Sequence, residues 1–175
     1  MMTRWKNLVL PAALAMALSP VARVQAADDP AGANVQLEAA GARPRTVEAL
    51  TSQRILHDYR LAWKDLADAF NSGRPDLVNQ YFVGPANAAL ANAVHHQNQA
   101  GIHSRYLSQN HRLEAVFYAP EGDVMELHDT VVCDLQLLDG ANVIHDEHAT
   151  LYYVVLMTPA ADRWVIRQLQ AVPRF

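Results

Sequence analysis

The 175-residue chain has little of several features that commonly define a functional class. A single cysteine, Cys133, excludes an internal disulfide framework and every zinc site built from several cysteines. Charged residues make up only 18% of the chain, and a net charge of −4 does not favour binding to nucleic acid. No HExxH, GxSxG or phosphate-binding glycine motif is present. The composition indicates one globular domain and does not identify a substrate.

The chain has eight histidines, but their spacing does not favour a metal site. His96 and His103 would lie about 10.5 Å apart on one predicted helix, which is too far for a single ion. His145 and His148 would point to opposite faces of an extended strand. We therefore expect neither a metal ion nor another cofactor.

The N-terminus has the three parts of a secretory signal. Arg4 and Lys6 supply positive charge, an apolar run covers residues 8–18, and Val24-Gln25-Ala26 fits a signal peptidase site. This run is shorter than the roughly 20 residues that a transmembrane helix needs. We predict a signal peptide over residues 1–26, cleaved after Ala26, and a periplasmic or secreted protein without a stable membrane span. An uncleaved anchor is the alternative.

Residues 27–45 are rich in Ala, Gly and Pro, and they predict a flexible lead before one domain over residues 46–175. In this domain, large apolar residues recur with helical spacing and predict a helix over 47–71: Leu56, Tyr59, Trp63, Leu66 and Phe70. Asn71-Ser72-Gly73 is a typical helix end. A short helix over 75–82 and a third helix over 86–107 follow.

From His111 onwards the apolar period changes to two. Turn sequences separate four predicted strands over 112–118, 124–138, 143–157 and 163–172. Helices followed by hairpin-linked strands predict an α+β fold. In this fold, three N-terminal helices would pack on a curved antiparallel sheet of about four strands.

The order of elements resembles the NTF2-like superfamily, which includes SnoaL-like proteins and ketosteroid isomerase. The resemblance is carried by the helix ending in Asn71-Ser72-Gly73, by Tyr81-Phe82, and by Arg163-Trp164-Val165-Ile166. The long third helix, with Gly84-Pro85 before it and Tyr106 at its end, is similar to Tim44-type and plastid-division domains. The resemblance covers residues 47–172. It implies a cone in which a curved sheet wraps the long helix, and dimerisation through the outer face of the sheet.

Pairing the strands directly through their turns assigns the side chains to two faces. The assumed pairs are Tyr118 with Val124, Leu138 with Val143, and Met157 with Arg163. The inner face then contains Leu113, Ala115, Phe117, Met125, Leu127, Val131, Cys133, Leu135, Leu137, Val154, Leu156, Trp164 and Ile166. The same register brings polar residues together within this apolar face: Asp129, Thr150, Tyr152, Gln168 and Gln170, with His148 at the edge.

Three interpretations of this polar cluster are open. Asp129 and its neighbours could satisfy one another, because a buried unpaired polar group costs about 1–3 kcal/mol. They could line a ligand pocket, with Tyr59, Trp63 and Trp164 as its walls. Asp129 could also act as a general acid–base, together with Tyr152 and His148.

We predict a non-catalytic exported domain that binds a small or partly apolar molecule in this pocket or a protein partner on the outer sheet face. The outer face would be apolar, through Val143, Leu151, Tyr153, Val155, Met157, Val165 and Leu169. A SnoaL- or ketosteroid-isomerase-like enzyme using Asp129 is one alternative. Against it, Leu66 stands where that family has its catalytic tyrosine, and the position of its base falls near Leu90. An envelope or secretion-apparatus assembly subunit is the other alternative.

Overall fold

A computed structural model describes residues 32–175; the predicted signal peptide and its cleavage site after Ala26 lie outside this range. The elements, in chain order, are β1 (Asn34–Glu38), β2 (Arg43–Pro44), α1 (Ala49–Ser72), a 3₁₀ helix (Pro75–Gln80), α2 (Gly84–Ala100), β3 (Ile102–Tyr118), β4 (Met125–Asp139), β5 (Asn142–Pro159) and β6 (Trp164–Val172). In this part of the chain, no helix is long and apolar enough to cross a bilayer.

The strands form one six-stranded mixed sheet with the order β1-β3-β4-β5-β6, and β2 also pairs with β3. β1 and β2 run parallel to β3, whereas the other pairs are antiparallel. The predicted antiparallel sheet of about four strands behind three N-terminal helices is therefore wrong. The sheet has more strands, it is mixed, and two of its strands precede the first helix.

β1 and β2 lie in the segment that was expected to be a flexible lead. In β1, Val35 is buried while Asn34 and Gln36 on either side are exposed. This alternation covers only 5 residues, which is too short to stand out in a segment rich in Ala and Gly. β1 is stabilised instead by pairing with β3, which is distant in sequence.

The third helix was predicted over 86–107, but α2 ends at Ala100. Gly101 has φ of 70°, a left-handed conformation that favours glycine and commonly closes a helix. Residues 102–107 instead open β3, which is 17 residues long. The single glycine was a stop signal that the alanine-rich pattern obscured.

The remaining elements match their predicted positions closely. α1 covers Ala49–Ser72, and Gly73 with φ of 68° ends it by donating its N–H to the carbonyl of Ala69. β4, β5 and β6 each lie within two residues of their expected bounds. The assumed hairpin pair Leu138–Val143 is also confirmed. The other two assumed pairs are wrong, because Tyr118 pairs with Met125 and Met157 pairs with Ile166.

Extra residues interrupt the pairing of the sheet at four places: Ser108 and Val116 in β3, Ile144 in β5 and Arg167 in β6. Each bulge reverses which alternate residues of its strand face the core. No extra residue lies in β4, which is regular along its whole length. These bulges decide which side chains meet in the interior.

α1 and the sheet contribute to a single core. The buried face of α1 includes Ile55, Tyr59, Trp63 and Leu66, and the sheet adds Leu113, Leu127, Val155, Met157 and Ile166. Asp58 is also buried on this face of α1, and its carboxylate accepts a hydrogen bond of 2.7 Å from the backbone N–H of Trp164. That bond connects the middle of α1 to the start of β6.

Candidate functional site

A polar cluster lies inside this core, between α1 and the middle strands of the sheet. Tyr59 and Trp63 are four positions apart on α1, so they lie on the same face of the helix. Asp129 is on the inner face of β4, and His111 and Gln109 are on the inner face of β3. These five side chains, which we call the Asp129 cluster, are all buried.

Asp129 is the centre of the cluster and is completely buried. Its Oδ2 atom accepts a hydrogen bond of 2.7 Å from the hydroxyl of Tyr59 and lies 2.8 Å from Nδ1 of His111. A carboxylate can only accept, so Nδ1 of His111 carries the hydrogen of this contact. The Oδ1 atom of Asp129 has no hydrogen-bond partner among the described residues.

His111 is enclosed by aromatic rings. The ring of Trp63 lies 4.4 Å from the imidazole, and the ring of Tyr59 approaches it edge-on at 5.8 Å. Nε2 of His111 is 3.5 Å from Oε1 of Gln109. Because Nδ1 already donates to Asp129, this second contact is a hydrogen bond only when the imidazole is doubly protonated.

The bulge at Ser108 brings Gln109 into the cluster. Ser108 has φ of 51°, a conformation that is uncommon for a residue other than glycine. Its carbonyl accepts a hydrogen bond of 2.8 Å from the side chain of Asn110. Before the bulge, the buried polar residue of β3 is at an even-numbered position, Ser104. After the bulge, the buried polar residues are at odd-numbered positions, Gln109 and His111. The bulge thus changes which face of β3 points inward.

Burial also sets the protonation of the tyrosines. It raises the pKa of Tyr59 well above the ordinary value, and the negative charge of Asp129 raises this pKa further. Burial likewise raises the pKa of Tyr153, whose ring is 5.6 Å from that of Trp63. Tyr59 therefore remains protonated near neutral pH and acts as a hydrogen-bond donor.

Two polar atoms of the cluster are buried without a partner in the described part of the chain: Oδ1 of Asp129, which accepts hydrogen bonds, and Nε2 of Gln109, which donates them. The indole N–H of Trp63 interacts with the hydroxyl of Tyr59. Buried polar atoms in folded proteins are nearly always satisfied by protein, water or ligand. An unsatisfied acceptor and an unsatisfied donor beside one imidazole would be satisfied by a buried water or by a polar group of a ligand.

The structure brings together three of the residues predicted for the pocket, Tyr59, Trp63 and Asp129. It does not bring the others to them. Tyr152 lies on the outer face, where its ring meets Phe175 edge-on at 5.7 Å. Thr150, Gln168 and Gln170 are exposed, and the two glutamines bond each other. His148 is exposed and pairs with Asp134 at 2.7 Å.

Trp164 is buried, but it lies away from the cluster. Its ring is 6.3 Å from that of Tyr118, and its backbone N–H is bonded to Asp58. It therefore packs at the start of β6 and is not a wall of the Asp129 cluster.

Two bulges explain the misplaced residues. Ile144 is an extra residue in β5, so Asp129 lies opposite Tyr153 and not Tyr152. In the β5–β6 hairpin, Met157 pairs with Ile166 and not with Arg163, and Arg167 is a further extra residue in β6, so Gln168 pairs with Leu156 and faces away from the core. The assumed pairs of Asp129 with Tyr152, and of Tyr152 with Gln168, are therefore wrong.

The same shift removes the predicted apolar outer face. Val155 and Met157 are completely buried in the core, and Leu151, Tyr153 and Leu169 pack against it. Val154 and Leu156, which were assigned to the core, alternate with these residues on the other face of β5. Phe117 was also assigned to the core but is 39% exposed, because the bulge at Val116 makes Tyr118 the buried residue.

The sequence analysis missed His111, Gln109 and Asp58. His111 and Gln109 fell outside the first predicted strand, which started at residue 112. Asp58 was detectable, because it lies three positions after Ile55 and four before Ala62 on the buried face of α1. A carboxylate at such a position requires a buried donor, and here the donor is a backbone N–H.

The other candidate chemistry is limited in the described range. Among residues 32–175, no group of three or more His, Cys, Asp or Glu side chains is arranged to hold a metal ion. Cys133 is buried on the inner face of β4, and burial raises the pKa of its thiol. The Asp129 cluster is therefore the candidate site that we consider further.

No protein-family model and no curated protein matches this chain. Among solved structures, the chain is similar to the crystal structure of the intermembrane space region of the chloroplast protein ARC6. The TM-score is 0.60 at 16% identity, and the match covers 74% of this chain and 98% of that one. At this identity the likeness shows a shared fold and does not extend to activity. The resemblance to the NTF2-like superfamily stays a prediction.

Proposed function

We propose that the domain binds a small, partly apolar molecule at the Asp129 cluster and does not transform it. The observation that carries this proposal is the pair of buried polar atoms without a partner among the described residues, on Asp129 and Gln109. Leaving such an atom unsatisfied costs about 1–3 kcal/mol, so a molecule that satisfies both would be held firmly.

The chemistry of these atoms describes the ligand. It needs a hydrogen-bond donor for Oδ1 of Asp129 and an acceptor for the amide N–H of Gln109. The rings of Trp63, Tyr153 and His111 offer apolar and aromatic contacts to the rest of the molecule. A small molecule with a hydroxyl or amide group on an apolar body fits these requirements.

The burial of the cluster predicts slow exchange. Tyr59 and Asp129 are completely buried, and Trp63 is 3% exposed. A ligand can enter or leave only when the core opens locally, and such opening is infrequent around completely buried side chains. We therefore expect the ligand to remain bound during a gentle purification.

Native mass spectrometry of the full chain, purified from cells that express it, tests the proposal. We expect a bound mass in the wild-type protein and its loss in Asp129→Asn. Asp134→Asn is the matched control, because Asp134 is on the same strand but its side chain is 40% exposed. Folding of each variant is checked by circular dichroism. A wild-type protein that carries only water, or equal ligand retention in both variants, would refute the proposal.

A second candidate function is acid–base catalysis at the same cluster. It is favoured by the geometry of His111, which bonds Asp129 at Nδ1 and faces an oxygen of Gln109 at Nε2. Incubating the released ligand with the protein in D₂O separates the two functions. If the ligand gains deuterium in the presence of the wild-type protein but not in the presence of Asp129→Asn, the cluster abstracts a proton from it. This result would overturn the binding-only proposal.

The proposal also includes the cellular location of the protein. An exported domain would act in the periplasm or outside the cell, after cleavage following Ala26, and an envelope assembly role would be compatible with that location. The mass spectrum tests this point directly, because the mature chain would lack residues 1–26. A full-length mass in the exported fraction would contradict cleavage.

A further inference from the structure

The edge of β5 is open over much of its length. β5 pairs with β4 from Asn142 onwards, but its pairing with β6 begins only at Tyr152. Within residues 32–175, no strand lies against the other side of residues 142–151. Backbone N–H and C=O groups on this side are therefore free to pair with another extended chain.

The open edge is also fully presented to the outside. Residues 142–148 are all exposed, including two apolar side chains, Val143 at 47% and Ile144 at 55%. Exposed edge strands with apolar residues are the sites at which partner proteins add a strand. The open edge of β5 thus has the backbone and side chains of such a site.

The charge of this region is strongly one-sided. From Leu113 to Asp162 the sequence contains no lysine and no arginine. β4 and β5 carry only carboxylates as permanent charges: Glu126, Asp129, Asp134, Asp139, Asp146 and Glu147. Asp146 and Glu147 lie in the middle of the open edge, and their partners are the amide of Gln136 and the imidazole of His145. No lysine or arginine of the strand neutralises them.

This charge argues against a second copy of the chain as the occupant. An antiparallel pairing of two β5 edges centred on Asp146 or Glu147 would bring that residue directly opposite itself. Like charges at opposite positions of a strand pair are destabilising. Charged edges of this kind commonly prevent the association of identical sheets.

The N-terminal segment of the same chain is also a poor occupant once the signal peptide is removed. After cleavage following Ala26, residues 27–33 would precede β1 and would extend at most about 25 Å. A position beyond β5 is about 19 Å from β1, because β3, β4 and β5 lie between them. Fewer than about two residues could then lie along the edge, and this is too short for a strand.

We infer that the open edge of β5 receives an extended, basic segment of a partner protein as an additional strand. Backbone hydrogen bonds would supply affinity, and lysine or arginine side chains opposite Asp146 and Glu147 would supply specificity. This interaction surface is separate from the Asp129 cluster and does not depend on ligand binding there.

Two synthetic peptides as long as the open edge test the inference with the full chain. One repeats two lysines followed by two valines, so that lysines lie on both faces of the added strand and can reach Asp146 and Glu147 together, and the other has glutamate in place of each lysine. Binding is measured by fluorescence polarisation, and the site by hydrogen exchange of the amides of residues 142–151. We expect only the lysine peptide to bind and to protect these amides.

Charge reversal supplies the matched variants. Glu147→Lys should weaken binding of the lysine peptide by about tenfold, since it replaces an attraction by a repulsion. Asp139→Lys makes the same change at the end of β4, beside the hairpin turn, and should have little effect. Equal binding of the two peptides, protection elsewhere, or equal effects of the two variants would overturn the inference. Protection that rises with protein concentration in the absence of peptide would instead identify a second copy as the partner.

Discussion

The hydrogen bond between Tyr59 and Asp129 gives the most direct test of the cluster. Tyr59→Phe removes one oxygen atom and leaves the ring in place. The lost hydroxyl donates to Oδ2 of Asp129 at 2.7 Å, and both side chains are completely buried. Solvent cannot replace the hydroxyl without opening the core, so the substitution isolates the contribution of this bond.

The expected magnitude follows from the partners. Hydrogen bonds to charged groups contribute about 1.5–3 kcal/mol, roughly twice as much as bonds between neutral groups. After the substitution, Asp129 has only His111 as a donor, and its carboxylate remains buried. We expect the free energy of unfolding to fall by about 2–3 kcal/mol, a large share of the 5–15 kcal/mol that is typical of a domain.

Urea denaturation followed by circular dichroism measures this loss, and Tyr153→Phe is the matched control. The hydroxyl of Tyr153 makes no hydrogen bond within the described residues, although its ring contacts Trp63 at 5.6 Å. We expect the control to cost less than about 1 kcal/mol. If both substitutions have the same effect, the bond to Asp129 contributes no special stability and our account of the cluster is wrong.

Three further predictions concern other buried groups. Asp58→Ala should lower the free energy of unfolding by about 2–3 kcal/mol, because it leaves the N–H of Trp164 without its acceptor; Asp58→Asn, which keeps an oxygen, should recover part of this loss. Cys133 is 1% exposed, so a thiol reagent should modify it at least about a thousandfold more slowly in the native protein than in urea. Burial raises the pKa of Tyr59 and raises that of Tyr106 to about 12. Above about pH 10 these tyrosines ionise in the unfolded chain but stay protonated in the folded protein. The free energy of unfolding should therefore be retained below pH 10 and should fall above it. The expected slope is about 1.4 kcal/mol per pH unit for each tyrosine, and denaturation at several alkaline pH values measures it.

Local patterns predicted the elements whose signals lie within one segment. The helical spacing of Leu56 to Phe70 located α1, and Gly73 correctly marked its end. The turn at Asp139-Gly140 correctly paired Leu138 with Val143. β1 could not be found in this way, because its 5 residues are stabilised by a parallel neighbour far away in the sequence.

The candidate site was predictable only in part, for the same reason. Tyr59 and Trp63 belong to the helical stripe, so their position on the inner face of α1 follows from spacing alone. The partners of Asp129 depend on the register of β3 and β5. Each of these strands has a bulge between its turn and the cluster. In β5, the single extra residue Ile144 places Tyr153 opposite Asp129, where Tyr152 was predicted.

The inner-face position of Asp129 was predicted correctly because β4 is the regular strand of this sheet. Every extra residue falls on its neighbours or on β6, so the alternation of β4 places Asp129 among buried residues without interruption. The bulge at Ser108 then brings the side chains of β3 to it, and the bulge at Ile144 does the same for Tyr153. In this sheet, the acidic residue on the apolar face of the regular strand thus correctly indicated the buried polar cluster. The residues that complete such a cluster can be assigned only once the bulges of the adjacent strands are known.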